Sequence, residues 1–383
     1  MKDRIARNIP LLIGIILVVI LMIIPTGYED AVIYQGTDRC SALVLETDES
    51  RLIDSGLIRS GEQTCTIKLL GGKFKGQEVE GYNLLNGSLE SDKLFNKGDK
   101  ALVVISYEGD KILSVNMIDH YRINKELILV GISCVFLILF AGKKGLMSIL
   151  SFIIAVLMIW KVLIPCTLSG YNPIIMGLAV VIALTIVIIM FVFGLDRRCL
   201  SAVSGSLLGV ITTCILGCIF TDLFQIHGAV MSYSESLLYS GFEYLNLTQI
   251  FMSSIFIGAS GAVMDISVDI TSAVYEVVQK KPDITWKEAA ISGIHVGQAA
   301  MGTMTTTLLL AYSGGYLALL MVFMAQGTPI YNILNYKYVS AEILDTIVGS
   351  IGLVTVAPFT ALTSGILLTS CKKHNMDNVL NYK

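Results

Sequence analysis

Two carboxylates stand in an otherwise apolar segment that begins at Thr248. Asp265 and Asp269 are one helical turn apart, and the small and polar residues around them recur at spacings of three and four, which predicts one face of a helix. That face consists of Ser254, Gly258, Gly261, Asp265, Asp269, Ser272 and Glu276. Carboxylates are unfavourable in hydrocarbon unless they face a bundle interior, water or a partner. Asp265 and Asp269 are therefore candidate proton- or cation-binding residues.

The alternative for Asp269 is ordinary contact with cytoplasmic water, because the same helix continues to Lys280. A second polar face is predicted in the segment that follows this helix. Residues 283–288 predict an amphipathic helix along the inner membrane surface, which leads into His295. An imidazole there can exchange a proton with Asp265 or hold a ligand, or it is a hydrogen-bonded structural residue. The side chains expected to line the polar face are Ser254, Gln298, Thr305 and Thr306.

The elements that carry these residues are predicted to be membrane-spanning helices. The chain has 383 residues, of which 54% are hydrophobic and 15% charged. Its apolar runs have the length that a helix needs to cross about 30 Å of hydrocarbon. They indicate an α-helical polytopic membrane protein with about eight transmembrane helices, at residues 9–24, 127–141, 145–164, 173–193, 199–220, 248–268, 301–325 and 346–369. Within 301–325, Ser313-Gly314-Gly315 is either a kink in one span or a turn between two short helices.

Basic residues cluster at the ends of alternate spans, which indicates the cytoplasmic side. The basic pairs are Lys143-Lys144, Arg197-Arg198, Lys280-Lys281 and Lys372-Lys373, and Lys2, Arg4 and Arg7 precede the first span. The pattern favours eight crossings of a bacterial-type cytoplasmic membrane, with both termini cytoplasmic. The first run is interpreted as an uncleaved signal anchor, and the alternative is a removed signal peptide.

Residues 25–123 have a different texture and are predicted to be extracytoplasmic. Short alternating segments separated by Gly71-Gly72 and Asn86-Gly87 predict a small antiparallel β-barrel or β-sandwich. An oligonucleotide-binding-type barrel fits in shape, but no basic and aromatic stripe accompanies it, so no nucleic-acid role is expected. Cys40 and Cys65 form either a disulfide or two free thiols. The predicted domains are a signal anchor at 1–24, the β domain at 25–123, a multi-helix membrane domain at 124–371 and a cytoplasmic tail at 372–383.

Small residues elsewhere predict close helix packing. Ser201, Gly205, Gly209, Thr213 and Gly217 repeat every fourth residue, and Gly258, Gly261, Gly349 and Gly352 have similar spacings. No nucleotide-binding loop, dinucleotide fingerprint, zinc-protease motif or nucleophile elbow occurs, so an enzyme is not expected, and neither a cofactor nor a metal is implied.

Three stretches of the chain have distinctive patterns of small and polar residues: GASGAVMDISVDITSAVYEV, GIHVGQAAMGTMTTTLLLAYSGG and IVGSIGLVTVAPFT. These stretches resemble the YibE/YibF-like family of bacterial multi-pass membrane proteins. The resemblance extends over most of the chain, including the external domain. It implies a multi-pass location and topology, and no catalytic role.

Two functions are compatible with these features. The first is a secondary transporter or permease in which Asp265, with Asp269 and His295, binds a proton or cation. The second is a non-transporting membrane partner or scaffold whose β domain binds another envelope protein. The lipid bilayer is the expected surrounding in both, and a homo-oligomer is compatible with either.

Overall fold

The computed structural model describes residues 9–28 and 36–380, with side chains up to residue 370. The chain divides into two compact units. One contains residues 27–136, and the other combines residues 1–26 with residues 137–383. The first unit therefore includes the beginning of the helix Ile123–Ala141, which the sequence predicts to be part of the membrane domain.

The first unit is a closed five-stranded β-barrel, so the predicted β domain is confirmed and the barrel alternative is the correct one. Its strands are β1 (Thr37–Asp54), β2 (Arg59–Leu69), β3 (Glu78–Asn86), β4 (Lys100–Glu108) and β5 (Lys111–His120). They are arranged in the order β1-β2-β3-β5-β4, and β4 pairs with β1 to close the barrel. All pairs are antiparallel except β3 with β5, which meet in parallel through Tyr82 and Asn116.

The barrel interior follows from the alternation in the sequence. Every second residue of a strand points inward, and the buried core is built from such positions, including Ala42, Val44, Ile67, Val103 and Ile105. Turns fall where glycine permits a positive φ, at Gly72 (φ +70) and Gly87 (φ +80).

A buried polar group holds the loop between β3 and β4 against the barrel. The Gln63 side chain donates to the Phe95 carbonyl at 2.8 Å and accepts from the Phe95 N–H at 3.1 Å. Asn83 donates to Gln63 Oε1 at 3.0 Å. Both amide side chains are fully buried, so these hydrogen bonds replace much of the contact with water that burial removed, although Asn83 Oδ1 has no partner among the described residues.

The second unit is a bundle of helices. Its long helices, together with the one that joins the units, are α2 (Ile123–Ala141), α3 (Lys143–Leu168), α4 (Pro173–Phe193), α5 (Arg197–Leu223), α7 (Leu247–Lys280), α8 (Trp286–Ser313) and α11 (Lys337–Leu380). Shorter ones are α1 (Ile9–Ile23), α6 (Ser234–Tyr239), α9 (Leu317–Ala325) and α10 (Ile330–Asn335). Within the described residues, seven helices are long and apolar enough to cross a membrane, and α1 adds a shorter apolar helix of 15 residues. The multi-pass helical fold class is therefore confirmed.

Several helices begin at residues whose side chains cap the free backbone N–H groups of the first turn. Asn172 accepts from Ile174 and Ile175 at the start of α4, and Asn246 accepts from Gln249 at the start of α7. Thr285 and Glu288 form a reciprocal capping box at the start of α8.

That capping box corrects one expectation. Residues 283–288 do not form a helix along the inner surface, because residues 286–288 are the first turn of α8, which begins after its N-cap Thr285 and continues without a break to Ser313. The span predicted at 301–325 is the second half of this helix followed by α9, and the two are joined by a single 3-10 turn at Gly314–Tyr316. The last predicted span, 346–369, lies inside a 44-residue helix that passes through Pro358.

Helix α7 lies at the centre of the bundle and packs against α4, α5, α8 and α11. Its inward residues, among them Phe256, Val263, Ile266 and Ile270, are fully buried in the main apolar core. The helix is thus held on several sides, and only one face remains outside the core.

Candidate functional site

The face of α7 that remains outside the core is the one that carries Asp265 and Asp269. Both side chains are exposed, as are Ser254, Gly258 and Gly261 on the same face. Within the described part of the chain, neither carboxylate has a hydrogen bond or an ion pair. Asp265 and Asp269 therefore do not face the bundle interior. Of the three environments expected for such carboxylates, water and a partner remain.

The packing of α7 fixes the depth of Asp265. Ser267 on α7 hydrogen-bonds to Thr360 on α11 at 3.0 Å, and a Cβ on Gly205 of α5 would lie 2.6 Å from the Cα of that threonine. Four residues along α5, a Cβ on Gly209 would lie 2.8 Å from Val356 and 3.2 Å from Val263. Asp265 lies between these two levels.

These levels lie near the middle of the long helices. At 1.5 Å per residue, Asp265 is within about 7 Å of the midpoints of α5, of α7 and of the membrane-length part of α11, Lys337–Ser370. A hydrocarbon layer of about 30 Å that covers these helices would hold Asp265 near its centre. This is the depth at which an unpaired carboxylate is least favourable.

Helix α8 runs beside this face in the opposite direction. A Cβ on Gly297 would lie 3.0 Å from Ile270, and one on Gly293 would lie 2.7 Å from Val274. The predicted residues His295, Gln298 and Thr306 are exposed on α8, and Thr305 is half-buried. The structure therefore brings the two polar faces onto neighbouring helices. It gives no hydrogen bond between the carboxylates of α7 and the described side chains of α8.

The hydroxyl groups near this face are satisfied by their own helices. Ser254 donates to the Phe251 carbonyl, and Thr305 donates to the Met301 carbonyl at 2.9 Å. The Thr306 hydroxyl is bonded in the same way to Gly302. These groups present polar oxygen atoms at the surface without needing a partner.

Small residues leave space along the face. No atom lies within 4 Å of the position that a Cβ would take on Gly261 of α7 or on Gly302 of α8. One turn before Gly261, a Cβ on Gly258 would lie 2.5 Å from the Tyr312 hydroxyl. The open part of the face thus extends from Asp265 to Tyr312.

A second pair of carboxylates, which the sequence analysis missed, lies on α11. Glu342 and Asp345 are half-buried, and one oxygen of each is inaccessible to solvent and has no hydrogen-bond partner. Tyr312 and Tyr316 are within electrostatic range of both carboxylates. None of the carboxylate side chains in the described residues is fully buried, and these two are among the more enclosed.

Other singled-out residues pack helices together. Gly205 and Gly209 contact α11 as described above, and a Cβ on Gly349 would lie 3.1 Å from Leu308. Gly352 faces Thr213. Buried hydroxyls reinforce this packing, because Ser201 donates to Ser364 at 2.9 Å across α5 and α11. These contacts lie in the core, away from the Asp265 face.

Cys40 and Cys65 are free thiols, both buried in the barrel core, so the disulfide alternative is contradicted. The strand register explains this, because Cys65 pairs with Thr47 on β1, seven residues from Cys40. A disulfide needs Cα atoms within about 7 Å. Burial raises the pKa of the Cys40 thiol, and it raises that of Cys65 to about 11, with a smaller effect of the Glu49 carboxylate.

One end of the barrel carries exposed apolar side chains. Leu57, in the β1–β2 turn, is 87% exposed, and Leu89, in the loop after β3, is 78% exposed. A cavity of about 260 Å³ lies between these two segments. Apolar groups that project from loops around a cavity are a feature of protein contact sites.

Comparison with known proteins places the bundle in a family. The family model described as YibE/F-like protein matches residues 129–370, which is more than half of the chain. The match does not extend to the barrel, which the resemblance seen in the sequence had included. No curated protein matches, and no solved structure matches. The chain belongs to the YibE/F-like family of multi-pass membrane proteins.

Proposed function

We propose that the protein is a secondary transporter or permease, not an enzyme, and that Asp265 and Asp269 bind the proton or cation that it moves. One observation supports this most strongly. Asp265 lies at the middle of α7, outside the packed core, with no hydrogen bond and no ion pair among the described residues. An aspartate at the centre of a spanning helix costs about 2.5–3.5 kcal/mol on insertion scales, so a functional reason for it is needed.

The chemistry follows from charge. A bound proton or monovalent cation neutralises Asp265 and removes most of the penalty for contact with hydrocarbon. The neutral and charged forms therefore favour different surroundings, which is what a carrier requires if binding is to bias two conformations. Asp269, one turn nearer the end of α7 at Lys280, provides the next carboxylate along the same face.

Water must reach this face in at least one conformation, because lipid chains offer no hydrogen bonds to a carboxylate. Gly261 and Gly302 leave room for water beside Asp265. We place the opposite wall of this path on a second copy of the chain. A monomeric mass for the purified protein in lipid nanodiscs would contradict that part of the proposal.

The distribution of basic residues leads to the proposed orientation, in which both termini lie in the cytoplasm and residues 25–123 lie outside the cell. Lys280 and Lys281 at the end of α7 support this, because basic residues concentrate on the cytoplasmic side. In this orientation Asp269 lies nearer the cytoplasm than Asp265, and Tyr312 lies nearer the outside of the cell.

The test is proton flux in proteoliposomes that contain a pH-sensitive dye, with outward gradients of Na⁺ and of K⁺ applied separately. Asp265→Asn should reduce the flux at least tenfold, and Asp269→Asn should reduce it by a smaller factor. Glu276→Gln is the matched control, since Glu276 is on the same face but near the helix end, and it should transport normally. A proton flux in Asp265→Asn equal to that of the wild-type protein would contradict the proposal.

A second candidate function is a membrane scaffold that binds another envelope protein through the barrel. The exposed Leu57 and Leu89 beside the 260 Å³ cavity favour it. Under this alternative, Leu57→Glu with Leu89→Glu should release a co-purifying partner. Leu113→Glu is the control, because Leu113 is 60% exposed on β5. A partner that stays bound to the double variant would count against it.

A further inference from the structure

The carboxylate face of α7 has the spacing of a helix-packing seam. Its residues recur at intervals of four and three, which is the repeat of residues that face another helix along its length. The α7 seam consists of Ser254, Gly258, Gly261, Asp265, Asp269, Ser272 and Glu276. Small residues in such a seam let two helices approach closely within a membrane. A second long helix therefore suits this face better than lipid chains, which cannot hydrogen-bond to its carboxylates.

Helix α8 carries a matching seam on the side turned away from the core. A Cβ on Gly297 would lie 3.0 Å from Ile270 of α7. One on Gly293 would lie 2.7 Å from Val274. At about 100° per residue, the other side of α8 carries an exposed set with the same intervals, Ile291, His295, Gln298, Gly302, Thr306 and Leu309. This α8 seam does not meet the α7 seam within one chain, because α8 contacts α7 through its opposite side.

The two seams have complementary hydrogen-bonding groups. On α7, the ionised carboxylates of Asp265 and Asp269 only accept. On α8, the Gln298 amide and the His295 ring carry N–H donors, and within the described residues neither side chain has a hydrogen bond or an ion pair. The Thr306 hydroxyl already donates to a carbonyl of its own helix at 3.3 Å. The α7 seam thus lacks donors, and the α8 seam offers two that have no acceptor.

Depth in the membrane decides which of these groups can meet. The two contacts between α8 and α7 given above set the register of these antiparallel helices, and they place Asp269 level with Gln298 and Asp265 level with Gly302. His295 is about one turn further from Gly302. Two copies inserted in the same orientation are related by a rotation about the membrane normal, which leaves every residue at its own depth. Asp269 of one copy is therefore level with Gln298 of the other.

We infer that the α7 seam of one copy packs against the α8 seam of a second copy, whose Gln298 and His295 donate hydrogen bonds to Asp269. Asp265 then lies opposite Gly302, where the absent side chain leaves room for water and for the bound proton or cation. Pairing of α7 with α7 would bring like charges together, and pairing of α8 with α8 would leave every carboxylate without a donor. The inference rests on the proposed function for the purpose of the site, whereas the contact itself is measured without transport.

Cross-linking between two differently tagged chains tests the contact. The eight native cysteines are replaced by alanine, and each chain carries one new cysteine, so every cross-link joins two copies. In native membranes, copper phenanthroline should join Gly261→Cys to Thr306→Cys, which are level, at least tenfold more than it joins Ile211→Cys of α5 to Thr306→Cys. Pairs of Gly261→Cys with itself and of Thr306→Cys with itself should form several-fold less than the mixed pair. Equal yields in all pairs, or a higher yield in either self-pair, would overturn the inference.

Gly302→Leu separates the packing of one chain from the contact between copies. No atom lies within 4 Å of the position of a Cβ there, so the chain itself should fold normally, whereas the larger side chain would meet Asp265 of the second copy. The cross-link between Gly261→Cys and Thr306→Cys should fall at least tenfold. Gly131→Leu on α2, where the Cβ position is equally open among the described residues, is the matched control and should leave the yield unchanged. An unchanged yield in Gly302→Leu would overturn the inference.

The same assay distinguishes this contact from the proposed transport. Asp265→Asn keeps the shape of the side chain, so the cross-link should form normally even where proton flux is lost. Normal flux in that variant beside a normal cross-link would contradict transport at Asp265 and support the contact. Loss of flux in Asp265→Asn, in a protein that forms no cross-link between Gly261→Cys and Thr306→Cys, would overturn the contact alone.

Discussion

Asp265 and Glu276 belong to the same face of α7, yet they differ in how their negative charges are solvated. Glu276 is four residues from Lys280 at the end of α7, where water and lipid headgroups solvate a charge. Asp265 is at the level of the packed midpoints of α5 and α11, where the hydrocarbon of a bilayer offers neither unless the protein itself admits water. Substitution of Asp265 should therefore alter function, whereas substitution of Glu276 should not.

At the same scale, the two barrel cysteines give a prediction about reactivity. Only the thiolate reacts with maleimide, and with a pKa of about 11 the Cys65 thiolate is about one part in a thousand at pH 8. Cys40 and Cys65 should label at least tenfold more slowly in native protein than the half-buried Cys166, which lies near the end of α3. Mass spectrometry of labelled peptides measures this.

The same experiment distinguishes free thiols from a disulfide. Denatured without a reductant, the protein should label fully at both barrel cysteines. Labelling of these two residues only after reduction would show that they are bonded, and the strand register described here would then be wrong.

Sequence reasoning found one pair of carboxylates and missed the other for a physical reason. Asp265 and Asp269 stand out because apolar residues surround them on both sides. Glu342 and Asp345 precede the predicted span 346–369, because a span defined by hydropathy begins after the last charged residue. The helix begins at Lys337, and only tertiary contacts reveal that its first turns are partly enclosed.

At the scale of elements, two glycines on neighbouring helices should respond in opposite ways to the same substitution. Gly205→Ala forces a methyl group against the Thr360 backbone in the buried core, which should cost about 1–3 kcal/mol. Gly261→Ala meets no atom within 4 Å, and alanine favours a helix over glycine by about 1 kcal/mol.

Thermal unfolding of both variants in one detergent measures the difference. The midpoint should fall for Gly205→Ala and should stay or rise for Gly261→Ala. If the two variants were equally stable, the close contact of α5 with α11 would not exist as described.

Hydropathy located the helices well but not their ends. It detects the part of a helix that suits hydrocarbon, whereas hydrogen bonding continues the helix into water until a cap or a proline ends it. This explains why α8 extends back to Trp286 through Lys287 and Glu288, which were predicted to belong to a helix along the inner membrane surface. The barrel was predictable because alternation and glycine turns determine strands locally.

At the scale of the whole molecule, the orientation of α7 was not predictable from its periodicity. Both of its faces carry small or hydroxyl residues, and Ser267 and Thr271 on the inward face bond to α11. The face with the carboxylates is the one that the bundle leaves uncovered. The proposed transport would therefore use water or a second copy against the outside of α7, and not a channel through the core of the bundle.

Measuring whether water reaches the Asp265 face of α7 tests the proposal most directly. Gly261→Cys and Ile211→Cys are made in a protein whose eight native cysteines are replaced by alanine. The two positions lie at the same depth, since Gly209 is level with Val263, and Ile211 is an exposed apolar residue of α5. With a membrane-impermeant methanethiosulfonate, Gly261→Cys should react at least tenfold faster than Ile211→Cys. Equal, negligible rates at both positions would contradict a hydrated Asp265 face.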